Sequence, residues 1–151
     1  MAGKDGEKPI AFDLDQFLPY LLNQAAERTS KRFEVAYRES YGISRTQWRI
    51  LANLGSYGDM TAADVSRRSH TEKSKLSRAV SALEAEGLLR REQSASDRRT
   101  ERLQLTESGR AVFENLSARA ADFDHALRWM LGPERAKLLE DMLRILAERD
   151  E

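Results

Sequence analysis

Apolar residues recur at steps of three and four along both ends of this chain, which is the spacing of one buried helix face. Pro19 interrupts the first of these segments, so the helix either begins near Pro19 or bends in its first turn. Near the other end, Gly132 breaks a second long helix and Pro133 begins a third at its first position. The apolar positions are Leu14, Phe17, Leu18, Leu21, Leu22, Ala25, Phe33, Ala36 and Tyr37; then Val112, Leu116, Ala120, Phe123, Leu127, Met130 and Leu131; then Leu139, Met142, Leu143 and Leu146.

Between these segments, capping residues predict shorter helices. Gly42 is suited to end the first helix, and Ser44 with Gln47 three residues on forms a capping box for a second helix that runs to about Leu54. We predict a turn over residues 55–59. Thr61 with Asp64 then caps a third helix over about 62–68.

A fourth helix and a hairpin follow. Thr71 is predicted to cap this helix, and Gly87 to end it. Leu88–Gln93 and Thr100–Leu105 are predicted strands around the polar loop Ser94–Arg99. Thr106 is predicted to cap the long helix that comes next.

The fold class predicted is mainly α with a small β wing, a winged helix-turn-helix flanked by long helices. We expect a flexible lead over residues 1–13, N-terminal dimerisation helices over 14–58, the winged helix-turn-helix over 59–105 and C-terminal dimerisation helices over 106–151. The long helices have no obvious partner within the chain, and an amphipathic helix must bury its apolar face. Two copies packing together would bury both ends.

Composition excludes several functions. The chain has no cysteine and two histidines, so disulfides, thiol chemistry and a metal site are not expected, nor is any cofactor. No nucleophile and base occur in a catalytic arrangement, and we predict no enzyme. No apolar run is long enough to span a membrane, and no secretory signal is present, so we expect a cytoplasmic protein.

Net charge is zero overall, but residues 61–105 carry ten Lys and Arg against seven Asp and Glu. In the fourth helix, a helical wheel places Leu76, Ala79, Val80 and Leu83 toward the core. The opposite face is rich in serine, narrow and nearly free of bulk. A solvated helix face is the alternative, but natural solvated faces favour Glu, Lys and Gln over serine. Arg78 can bond guanine, serines can bond several bases, and the lysines flank them where phosphates would run. The predicted DNA-binding residues of this helix are Lys73, Ser74, Lys75, Ser77, Arg78 and Ser81.

The hairpin tip carries Asp97, Arg98 and Arg99. A thin tip with two arginines suits the narrow minor groove, while a solvated turn is the alternative. We expect Asp97 to hold one arginine through a bidentate ion pair. Arg90 and Arg91, at the base of the wing, either touch phosphate or pair with Glu92 and Glu101.

Three motifs together resemble the MarR family of winged-helix transcriptional regulators. They are the Leu-Glu-x-x-Gly-Leu run at Leu83–Leu88, the Asp-Arg-Arg tip at Asp97–Arg99 and the Leu-Thr-x-x-Gly run at Leu105–Gly109. The resemblance spans about residues 14–148. It implies a homodimer on a pseudo-palindromic double-stranded DNA operator, usually a repressor, often released by a small aromatic anion.

In that family, effectors lie between the long helices and the DNA-binding lobe, where this chain offers Trp48, Arg49 and His70 as candidate effector-binding residues. The alternative, which we favour, makes Trp48 a core residue and Arg49 part of a surface ion pair. A second class of function is a winged-helix module that binds protein. Such a module would show apolar anchors on the fourth helix, and the residues named there provide none.

Overall fold

The computed structural model describes residues 11–148, which fall into two compact units that meet in sequence between Phe33 and Glu34. Residues 1–10 of the predicted lead lie outside the described residues. A short 3₁₀ turn over Leu14–Gln16 comes first, with Asp13 as its cap. The further elements are α1 (Leu18–Tyr41), α2 (Arg45–Tyr57), β1 (Met60–Thr61), α3 (Ala62–Ser69), α4 (Lys73–Ala85), β2 (Leu89–Gln93), β3 (Glu101–Leu105), α5 (Glu107–Leu131) and α6 (Pro133–Ala147).

Most helix ends lie where the sequence predicts them. Pro19 is the second residue of α1, where a missing N–H costs nothing, so the helix begins beside it. Both capping boxes form: Ser44 with Gln47, and Thr61 with Asp64. Hydrogen bonds from the Thr61 side chain and backbone lower the pKa of Asp64, because they stabilise its carboxylate form.

The turn predicted over residues 55–59 is wrong in its first half, because α2 continues to Tyr57. A Cβ atom built on Gly55 would lie 2.4 Å from the ring of Phe113 in α5. The glycine therefore lets an aromatic ring pack directly on the helix backbone, and it does not break the helix. Gly58, with φ of 85°, ends it.

Thr71 is not the cap of α4. Glu72 occupies the cap position and makes no side-chain capping bond. Thr71 is buried, and its hydroxyl group accepts a hydrogen bond from Ser69 Oγ at 2.9 Å. His70, just before it, adopts a left-handed conformation with φ of 49°. The turn between α3 and α4 therefore buries the Thr71 side chain, which is not available to cap α4.

The sheet has three antiparallel strands in the order β1-β3-β2. Strand β1 was not predicted, because two residues are too short for an alternating pattern to be visible. In β2 and β3 the pairs Leu89↔Leu105 and Arg91↔Leu103 lie on one face of the hairpin, which packs toward the core. Arg91 is thus on the inner face of the wing.

The core of the larger unit is built from α2–α4, the sheet and the first half of α5. An ion pair between Arg128 and Glu140 joins the second half of α5 to α6. Arg128 bonds Asp124 and Glu140, and Arg144 also bonds Glu140. Hydrogen bonds from Arg144 and Arg128 lower the pKa of Glu140 to about 2. None of the helices described is long and apolar enough to cross a membrane.

Candidate nucleic-acid interface

Helix α4 is fixed in rotation by its apolar side. Leu76, Ala79, Val80 and Leu83 are all buried, as the helical wheel predicts. The helix ends in a paired motif in which Leu88 N donates to Leu83 O and Gly87 N donates to Glu84 O. Gly87 has a φ of 74°, which a side chain rarely adopts. The core contacts and this cap together decide which side chains of α4 face solvent.

All six predicted residues of α4 are exposed and lie on its outer side: Lys73, Ser74, Lys75, Ser77, Arg78 and Ser81. Within residues 11–148, the side chains of Lys73, Lys75, Ser77 and Arg78 make no hydrogen bond or ion pair. Their donors are therefore available to a ligand without the loss of an existing contact.

Two serines of this face are already engaged. Ser74 donates a hydrogen bond to the carboxylate of Glu72, at the start of the helix. Ser81 accepts a hydrogen bond from Arg91 Nη2 of β2 at 3.3 Å. Glu72 and Arg91 thus border the exposed face at its two ends, and neither is among the residues predicted for it.

The wing tip presents both predicted arginines to solvent. Arg98 and Arg99 are exposed, and neither guanidinium group has a partner in the described part of the chain. The tip is closed by Ser94 N, which donates to Thr100 O at 2.9 Å. A ribbon ending in two unpaired guanidinium groups has the shape and charge that a minor groove accepts.

Asp97 does not pair with a guanidinium group, in contrast to the prediction. Its Oδ1 accepts a hydrogen bond from the backbone N–H of Arg99 at 2.9 Å, and its Oδ2 accepts one from the Thr100 hydroxyl at 3.1 Å. This is the local turn that aspartate often makes with the residue two positions on. Asp97 therefore shapes the tip and leaves both arginines unpaired.

At the base of the wing, the two arginines differ. Arg91 pairs with Glu101 at 3.3 Å, as one of the two alternatives states, and also with Glu84 of α4 at 3.4 Å. Arg90 lies on the outer face and donates to its cross-strand neighbour Gln104 at 2.8 Å, not to Glu92.

The three candidate effector residues differ in burial and in their contacts. Trp48 is half-buried and stacks on Tyr37, with ring centroids 6.3 Å apart, which fits the core alternative. Arg49 is half-buried beside it, and the expected surface ion pair is absent, since its guanidinium group has no such partner within residues 11–148. His70 is exposed in the turn before α4.

A pocket of about 270 Å³ lies between α3, α4 and β2. None of the three candidate effector residues lines it. Its wall is mostly small and apolar, with cations at the rim: Ala62, Ala63, Ser66, Lys73, Leu76, Ser77, Val80 and Arg91.

Comparison with known proteins identifies the family to which this fold belongs. Residues 41–100 match the sequence model of the MarR family. A crystal structure of a MarR family transcriptional regulator from Silicibacter pomeroyi DSS-3 is 30% identical, with a TM-score of 0.80 over 91% of this chain and 97% of that one. The chain belongs to the MarR family. It is a transcriptional regulator with the winged helix-turn-helix fold that the sequence predicts.

Other MarR-like proteins extend the comparison. The HTH-type transcriptional regulator FarR of Neisseria gonorrhoeae is 28% identical over 84% of this chain and 86% of its own length. NadR, crystallised in complex with 4-hydroxyphenylacetate, is 27% identical, with a TM-score of 0.77 over 89% of this chain and 94% of that one. FarR, like the Silicibacter pomeroyi protein, is named as a transcriptional regulator, and neither name describes an enzyme.

Proposed function

We propose that this MarR regulator binds double-stranded DNA as a homodimer, with α4 in the major groove and the wing tip in the adjacent minor groove. The observation that supports this most strongly is the outer face of α4. It joins small polar side chains to one unpaired Arg78, and it lies in the same unit as a ribbon with two further unpaired arginines. A protein-binding face would instead expose apolar anchors, and the six exposed residues named for α4 include none.

We assign the segments as the sequence analysis does: 59–105 to DNA binding, and 14–58 with 106–151 to dimerisation. Large apolar side chains are exposed in both units, which a soluble monomer rarely tolerates over so many positions. A second copy of the chain would cover them. They are Phe12, Leu14, Phe17, Leu18, Leu21 and Leu22 in the smaller unit, and Val35, Tyr57, Trp129, Met130, Leu138, Leu139, Met142, Leu143, Ile145 and Leu146 in the larger.

Selection of DNA sites from a random pool tests both proposals. A symmetric dimer selects two inverted half-sites about ten base pairs apart, and its affinity falls steeply as salt rises. Sedimentation of the purified protein should give twice the 17.2 kDa of one chain. No enrichment of any sequence, or salt-independent capture, would point to the protein-binding alternative.

We further propose a repressor that a small aromatic acid releases from its operator, because NadR holds 4-hydroxyphenylacetate. Arg49, whose guanidinium group has no ion-pair partner within residues 11–148, is the candidate for binding the carboxylate. Trp48, which already stacks on Tyr37, and His70 are the other two residues predicted for this site. Titration of aromatic acids into the DNA complex, with Arg49→Ala as the comparison, tests this assignment. A release that Arg49→Ala leaves unchanged would exclude this site.

For the wing, Arg98→Ala and Arg99→Ala should each weaken binding most on operators with A·T-rich flanks. The narrow minor groove of such flanks carries the strongest negative potential, and the lost side chain no longer enters it. Anisotropy measured on A·T-rich and G·C-rich flanks would show the difference. The same loss on both flanks would identify a plain phosphate contact.

A further inference from the structure

Arg91 connects α4 to the wing formed by β2 and β3. Its guanidinium group lies on the inner face of β2 and reaches three acceptors on two other elements. Nη2 donates to Ser81 Oγ at 3.3 Å, and Nε lies 3.4 Å from Glu84 Oε2, both on α4. Nη1 donates to Glu101 Oε2 of β3 at 3.3 Å. The side chain is 30% exposed, so these contacts are partly shielded from water.

These contacts occur where the wing leaves the core. Beyond Arg91, β2 runs outward through Glu92 and Gln93 to the tip, about 10 Å at some 3.4 Å per residue. At that distance, a tilt of about ten degrees at the base moves the tip by roughly 2 Å, which is enough to break a hydrogen bond. A fork of five donors in one plane suits a fixed angle between two elements better than a single ammonium group does.

We infer that Arg91 is a positioning residue for DNA binding: it fixes the angle between α4 and the wing, so that Arg78 and the tip arginines reach their grooves together. The inference rests on the proposed function. It differs from the expectation that Arg91 touches a phosphate, because the guanidinium group is already shared between two carboxylates. If Arg91 moved away to a phosphate, the carboxylates of Glu84 and Glu101 would be left unpaired beside the DNA.

The sign of one substitution separates the two roles. Glu84→Gln removes a negative charge near the DNA, and by electrostatics alone the change should tighten binding. If Glu84 serves to hold Arg91 against α4, the same change weakens binding. Glu92→Gln is the matched control: it removes the same charge from the outer face of β2, where Glu92 has no hydrogen-bond or ion-pair partner in the described part of the chain, and it should bind equally or more tightly.

The experiment measures the affinity of wild type, Arg91→Ala, Arg91→Lys, Glu84→Gln and Glu92→Gln for the selected operator over a range of salt. We expect Arg91→Ala to weaken binding about tenfold, and Glu84→Gln about threefold. Both should leave the salt slope unchanged, since neither removes a phosphate contact. Arg91→Lys should restore little, since its donors all lie on one nitrogen, whereas Arg91 reaches its three acceptors from three different nitrogens of a planar group.

A double-variant cycle with Arg98→Ala completes the test. If Arg91 positions the wing, the loss caused by Arg98→Ala shrinks in the Arg91→Ala background, whereas independent contacts give losses that multiply. Tighter binding by Glu84→Gln, a salt slope lowered by about two in Arg91→Ala (one phosphate contact from each subunit), or multiplying losses would each overturn the inference. If wild type binds DNA and Arg91→Ala binds equally well, this inference alone fails. If wild type binds no DNA, the proposed function fails with it.

Discussion

Arg78→Ala is expected to weaken binding of the selected operator by at least thirtyfold, and to remove the preference for one base pair in each half-site. A bidentate contact from arginine to guanine contributes about 1–3 kcal/mol, and a symmetric dimer loses two of them. The side chain is exposed and unpaired within residues 11–148, so its removal leaves the fold intact. Repeating the site selection with the variant would reveal the lost position.

Two controls define this result. Arg78→Lys retains the charge but not the planar pair of donors, and it should recover affinity for all sequences without recovering the base preference. Arg28→Ala removes the same charge from α1, outside the winged segment, and should keep the selected motif. A variant Arg78→Ala that selects the wild-type motif would contradict the assignment.

Gly109→Ala is expected to lower the stability of the protein by about 3 kcal/mol or more, which corresponds to a fall in Tm of roughly 6–12 °C. Gly109 is buried in the first turn of α5, and a Cβ atom there would lie 1.8 Å from the backbone carbonyl oxygen of Leu88. A backbone oxygen cannot rotate away as a side chain can. Either α5 or the connection from α4 to β2 must therefore shift.

Thermal unfolding at one protein concentration measures this effect, with Ser108→Ala as the control. Ser108 is the neighbouring residue of α5 and is exposed, so the same helix turn receives a substitution that meets no backbone. The control should change stability by less than about 0.5 kcal/mol. Equal Tm values for Gly109→Ala and wild type would show that this close packing is absent in solution.

Local chemistry made several elements predictable from the sequence. A cap bonds residues three apart, so Ser44 with Gln47 and Thr61 with Asp64 are visible as short motifs. Helical periodicity assigned the buried and exposed sides of α4, because both follow from the order of its own residues. The solvent-facing position of Arg78 was predicted for this reason.

One error comes from a contact between distant residues, and the other two come from local turns that compete with the pattern visible in the sequence. Gly55 begins a segment with the composition of a turn, but it lies within α2. Only the packing of the Phe113 ring, 58 positions away, explains a glycine at this helical position. Thr71 matches the pattern of a cap, but the turn at His70 buries it. Asp97 lies next to two arginines in sequence, yet its carboxylate accepts a hydrogen bond from the nearer backbone N–H of Arg99 and pairs with neither guanidinium group.

The sequence by itself determined which helices form, where most of them end and which residues of α4 face outward, because bonds and periodicities within a few residues decide these features. Tertiary structure decided which polar groups remain unpaired. Arg90 and Arg91 are neighbours with the same side chain, but they lie on opposite faces of β2. Arg90 bonds Gln104, whereas Arg91 contacts Ser81, Glu84 and Glu101. The strand pairing and the packing of the wing on α4 join residues far apart in the chain, and such contacts leave no local pattern.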